Sequence, residues 1–119
     1  MYSEIVNRDY ASLLPQVMRK LFPEDRRREE VEGILASATY NEPERVRLGI
    51  LRVSDGSFEQ MKRLVQLASE DWRDLLCVAE YPLSSKEHGL REKDPLKYDA
   101  LLAKEQTQYE DWLKKVLAL

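Results

Sequence analysis

Apolar residues recur along this chain at steps of three and four, the period of one face of an α-helix. The first stripe holds Val6, Tyr10, Leu13, Leu14, Val17, Met18 and Leu21. Pro15 lies inside it. Proline lacks a backbone donor and disfavours helical geometry at the residue before it, so a kink or break is expected there. Pro23 closes the segment, and "PEDRRREEVEGILASA" opens a second helix with Val31, Ile34, Leu35 and Ala38 inward. In "NEPERVRLGILRVSDGS", Asn41 is the expected cap, with Pro43 and Glu44 in the first turn. Val46, Ile50 and Val53 line one side of this third helix and Leu48 and Leu51 another, so it belongs near the middle of a bundle. Gly49 costs such a helix about 1 kcal/mol relative to alanine, which points to close approach by a neighbour.

Ser57-x-x-Gln60 has the form of a capping box, followed by Phe58, Met61, Leu64, Val65 and Ala68 on one face. In "EDWRDLLCVAEYP", Trp72, Leu75, Leu76 and Ala79 form a buried stripe, with Glu70, Asp71 and Asp74 outside it. Glu70 and Asp71 are expected in the first turn of that helix, where its dipole favours negative charge, and Pro82 follows the end. Residues 83–93 form a polar connection. Asp94 caps and Pro95 opens the final helix. There Tyr98, Leu102, Glu105, Tyr109, Trp112, Val116 and Leu119 make a coiled-coil-like seam. Glu105 interrupts it, and a lone dry carboxylate is costly, so contact with solvent or an arginine is expected. The pattern predicts an all-α, single-domain bundle over 1–119, of five or six helices with a long C-terminal one.

Charge alters this picture little. The 119 residues carry a formal charge of −3, with acids and bases interleaved. Nucleic-acid binders usually leave a basic footprint, and none is present. The Arg26–Arg28 run faces acids four positions away (Glu24 with Arg28, Arg26 with Glu30, Arg28 with Glu32), which reads as a solvated ion-pair face. One cysteine cannot form an internal disulfide, and one histidine cannot found a zinc site. The N-terminus lacks a secretion-signal layout, and no apolar run approaches a membrane span. A cytoplasmic protein is expected.

Residues 44–82, "ERVRLGILRVSDGSFEQMKRLVQLASEDWRDLLCVAEYP", resemble a pattern found in small bacterial all-helical proteins that carry no assigned activity. The resemblance covers about a third of the chain. It implies an all-helical fold and a bacterial origin, and it transfers no catalytic role.

The candidate chemistry is sparse. Cys77 at the core edge and His88 in the connection read as structural. Glu29-x-x-Glu32 and Asp71-x-x-Asp74 loosely resemble the acidic pairs of all-helical nucleoside triphosphate pyrophosphatases, an alternative that would make the chain a magnesium-dependent hydrolase. A second alternative is a helix-turn-helix nucleic-acid binder over 44–68, presenting Glu59, Gln60, Lys62, Arg63 and Gln66. No catalytic, cofactor-binding or metal-ligating residue is assigned, and no cofactor is expected. Arg45, Gly49 and Arg52 share one helix face as a candidate contact for an anion or partner, the competing reading being ion pairs to acids near Glu70 to Asp74. Tyr98, Tyr109 and Trp112 are candidates for a self-association seam giving a homodimer through the C-terminal helix, although docking on the chain's own bundle is favoured. The leading expectation is a non-enzymatic interaction or regulatory module whose partner is another protein.

Overall fold

The computed structural model describes residues 8–118, so Val6 and Leu119 of the expected stripes lie outside the described residues. These residues form seven α-helices, with no strand among them: α1 (Tyr10–Leu21), α2 (Asp25–Ala36), α3 (Pro43–Ser54), α4 (Phe58–Glu70), α5 (Trp72–Glu80), α6 (Leu90–Lys93) and α7 (Pro95–Leu117). A 3-10 turn at Ser84–Lys86 precedes α6. The pattern predicts five or six helices. The seventh is the four-residue α6, too short to show a periodicity of its own.

α3 is the axis of the bundle. Arg45, Val46, Leu48, Gly49, Ile50, Leu51 and Ser54 are all buried, so it is enclosed around most of its circumference. α1, α4 and α5 pack against it, α7 lies across α1 and α5, and α2 covers α4. An alanine Cβ at Gly49 would stand 3.0 Å from the Ala79 Cβ and 3.2 Å from Leu75 Cδ1, so the glycine is the notch into which α5 fits. Leu75, Leu76 and Ala79 fill it as the stripe requires, with Trp72 partly buried at its start.

Several local expectations are corrected. Pro15 does not break α1, which runs continuously from Tyr10 to Leu21. The carbonyl that proline cannot bond belongs to Ala11, which is exposed and open to water, while Leu14 and Val17 on either side stay in the core. Asn41 does not cap α3. Glu42 takes that position in the left-handed region, at φ 50° and ψ 61°, with Pro43 at the first helical position. The other end of α3 is similar, with Asp55 at φ 46°. For residues other than glycine this conformation costs about 1–2 kcal/mol, so both chain reversals at the central helix are strained. On α2 the ion pairs form at three-residue rather than four-residue spacing, Arg28 with Asp25 and Arg27 with Glu30. Arg28 also donates to the carbonyls of Phe22 and Pro23, and Arg27 lies 3.9 Å over the Phe58 ring, pinning α2 to α4.

The remaining caps follow the sequence. Ser57 Oγ accepts from Gln60 N at 3.2 Å, and Asp94 Oδ1 from Lys97 N at 3.1 Å. Asp71 is not in a first turn: it is the one residue between α4 and α5, extended at φ −151°, and its carboxylate accepts from Arg73 N and Asp74 N. Along α7 the buried seam is Leu102, Glu105, Tyr109, Leu113 and Val116. Glu105 meets neither solvent nor arginine: its carboxylate accepts from Leu83 N at 2.9 Å, from Ser84 N, and from Ser84 Oγ at 3.0 Å. It ties the α5–α6 connection to α7, with backbone donors neutralising what the seam alone would leave unpaired.

Candidate functional site

The polar interior is concentrated where the start of α1, the first turn of α3, the end of α5 and the second half of α7 meet. Its centre is Arg45 and Glu80. Arg45 Nε lies 3.0 Å from Glu80 Oε2 and Nη2 lies 2.6 Å from Oε1, a two-pronged contact. The Glu80 side chain is 0% exposed and that of Arg45 7%. Arg45 Nη1 also reaches Glu42 at 3.1 Å. The bonds to Glu80 hold the Arg45 guanidinium well above its ordinary pKa, overriding the opposing effect of burial. Its acid partner is thus on α5 but a helix length beyond the Glu70–Asp74 group. Glu80 has a sequence signal: it stands at i+4 from Leu76 and i+8 from Trp72, on the apolar stripe itself. An acid on such a stripe predicts a buried partner.

Around this pair stand two further arginines and two aromatic rings. Arg8 lies 3.9 Å over the Tyr109 ring, with Nε 2.6 Å from Glu110 Oε1 and Nη2 2.9 Å from Gln106 Oε1. Burial works against the Arg8 charge, but its bonds to Tyr10 and Glu110 outweigh that and raise its pKa. Arg52 lies 5.0 Å from the Tyr109 centroid and 5.8 Å from that of Trp112. The two rings meet edge to face at 6.0 Å and 82°. Trp112 Nε1 donates to Asp55 Oδ1 at 3.0 Å, anchoring α7 to the strained end of α3. Among the described residues Arg52 has no ion pair, and its pKa is lowered by burial. Tyr109 is buried with its hydroxyl unpartnered, and burial, then the Glu80 charge, push its pKa far upward.

The Arg45–Gly49–Arg52 face is therefore divided. Arg45 is saturated by acids, Gly49 is covered by α5, and Arg52 keeps unspent hydrogen-bonding capacity. In the proposed seam, Tyr109 is enclosed by the chain's own bundle, while Tyr98 and Trp112 are half-buried. Cys77 is half-buried, and burial, then Asp74, raise its thiol pKa, a setting opposed to nucleophilic chemistry. His88 is exposed in the connection. Among the described residues no three His, Cys, Asp or Glu side chains converge as metal ligands would, so the Glu29–Glu32 and Asp71–Asp74 pairs are not assembled into one site. A shallow cleft of about 340 Å³ lies beside Arg8, Tyr10, Glu42 and Arg45, and another of about 660 Å³ beside Arg19, Pro23, Arg28 and Leu117.

The class that fold and site define is an all-α helical bundle with a buried arginine–carboxylate core. Among the described residues no helix is long and apolar enough to cross a membrane. The chain matches no protein-family model, no curated protein and no solved structure. The resemblance of residues 44–82 to small bacterial helical proteins rests on those residues alone.

Proposed function

We propose that the chain is a non-enzymatic cytoplasmic interaction module that regulates or bridges another protein. The supporting observation is where polarity and apolarity have been placed. The buried acids Glu80 and Glu105 are committed to holding helices and a connection together. Among the described residues the exposed large apolar side chains are Val78 on α5 at 45%, Leu83 in the following connection at 39% and Leu96 at the start of α7 at 82% exposure. Single exposed leucines are ordinary on monomers. Leu96 stands in the first turn of α7, between Pro95 and the amide of Lys97 that the Asp94 cap holds, beside the short helix α6, and such an apolar projection suits a partner's groove.

The test uses the purified full chain as bait, with Leu96→Glu beside it. A single partner retained by the original chain and lost by the variant, at unchanged melting temperature, supports the reading. Equal retention by both overturns it, as does magnesium-dependent hydrolysis of nucleoside triphosphates.

A further inference from the structure

Three buried polar atoms collect around one ring without a partner: Arg52 Nε, Gln106 Nε2 and the Tyr109 hydroxyl. Native interiors leave few such groups, and each calls for an explanation. The Gln106 amide cannot be turned to escape the count, because its oxygen accepts from Arg8 Nη2 at 2.9 Å, which leaves the nitrogen facing the other way. All three are tied to the same place. Gln106 and Tyr109 are one turn apart on α7, and Arg52 reaches the Tyr109 ring from α3. Arg8, whose own acid is the half-exposed Glu110, closes the other side.

The ion pairing agrees with the hydrogen bonding. Arg8, Arg45 and Arg52 converge here with Glu80 as the one fully buried acid, and Glu80 is engaged by Arg45. Glu110 answers Arg8, and Asp55, three residues from Arg52, accepts from Trp112 and acts on Arg52 only through space, without a hydrogen bond to it. Among the described residues Arg52 alone of the three lacks a direct ion pair, and it is half-buried, so that it is partly dehydrated yet reachable. Planar guanidinium donors beside an aromatic wall are well matched to a carboxylate or phosphate group.

We propose that the corner formed by Arg52, Gln106, Tyr109 and Trp112 binds a single oxyanion group, a carboxylate or a phosphate. Arg52 supplies the charge and two-pronged contact, Gln106 and the Tyr109 hydroxyl supply neutral donors, and Trp112 forms the wall. The site is separate from the exposed leucine at the start of α7, so it stands or falls independently of the partner-docking reading.

Trp112 is the reporter. With ¹⁵N-labelled protein in a chloride-free buffer, its indole N–H resonance is followed during additions of inorganic phosphate, and separately of an acetyl-pentaglutamate peptide. A saturable shift with phosphate identifies a small-anion site. A shift confined to the peptide, or much tighter with it, identifies a protein carboxylate. Either supports the proposal when Arg52→Gln weakens binding at least tenfold and Gln106→Leu weakens it several-fold, with the amide spectrum of the bundle otherwise preserved. Should Arg52→Gln unfold, Gln106→Leu and Tyr109→Phe decide the matter together. No saturable shift with either probe, or equal binding by the variants, overturns the proposal and leaves these donors to ordered water.

Discussion

Removing the Glu80 carboxylate while leaving Arg45 in place would strand a cation that is 7% exposed, beside Tyr10. Glu80→Gln keeps size and one acceptor oxygen, so it isolates charge from packing. Arg45 would retain Glu42, but that acid is half-exposed and screened by solvent, and a pair of that kind contributes at most about 1 kcal/mol. Breaking a buried pair from one side costs about 3–5 kcal/mol, a large share of the ~5–15 kcal/mol by which a domain is stable. Glu80→Gln should fall toward the lower end, about 3 kcal/mol, and lower Tm by on the order of 10 °C. Arg45→Met alone strands Glu80, the more completely enclosed partner, and should cost more. The double variant Arg45→Met with Glu80→Leu removes both charges and should recover most of the loss, as matched apolar replacement of buried pairs often does. Urea unfolding of the original chain, Arg45→Met, Glu80→Leu and the double variant closes the cycle and gives the coupling energy, with Glu80→Gln beside it to separate charge from packing. Additive single effects, or a double variant no better than the worse single, would refute the claim that the pair acts as a unit.

Four further outcomes follow from the packing. Gly49→Ala should destabilise by about 1–2 kcal/mol, because the added carbon meets the rigid Ala79 Cβ, whereas Gly33→Ala should stabilise by about 0.5–1 kcal/mol, since nothing lies within 4 Å of its Cβ position; urea midpoints separate them. Glu105→Ala removes the acceptor for two backbone donors and a hydroxyl, and hydrogen exchange should show Leu83 and Ser84 amides losing protection before the rest of the bundle. Tyr109→Phe deletes a buried, unpartnered hydroxyl and should raise stability by about 1 kcal/mol in the absence of ligand, measured by thermal unfolding. The folded-state pKa of Tyr109 is raised, so its contribution is complete below the unfolded value of about 10 and is lost as pH climbs above it. Stability at alkaline pH should therefore decline less steeply in Tyr109→Phe than in the original chain.

Periodicity carried most of the fold. The stripes at Val31/Leu35, Met61/Leu64/Val65/Ala68 and Leu75/Leu76/Ala79 are buried as their spacing requires. Gly49 announced a close neighbour because a glycine in a helix needs compensation. What local reasoning missed depends on contacts distant in sequence. Pro15 is a breaker by intrinsic geometry, yet packing of Leu14, Val17 and Met18 outweighs it where the orphaned carbonyl faces water. Glu105 was visibly misplaced in an apolar seam, but its partners are backbone donors of a connection that carries no side-chain signature. Glu80 bears the same signal, blunted because it sits at a helix end, where acids are usually exposed. Arg8 gave no warning, since its partners lie about a hundred residues away on α7.

Asp71 has a consequence for how copies of this chain can associate. It is a single-residue punctuation between α4 and α5, and its carboxylate pins the bend by accepting from two amides that would otherwise turn to solvent. A helix-favouring residue there would let the two segments fuse into one straight rod from Phe58 to Glu80. The half carrying Leu75, Leu76 and Ala79 would then swing away from Gly49 and seek the same notch in a neighbouring molecule. Asp71 thus marks the hinge at which a reciprocal exchange of helices between two chains would have to open.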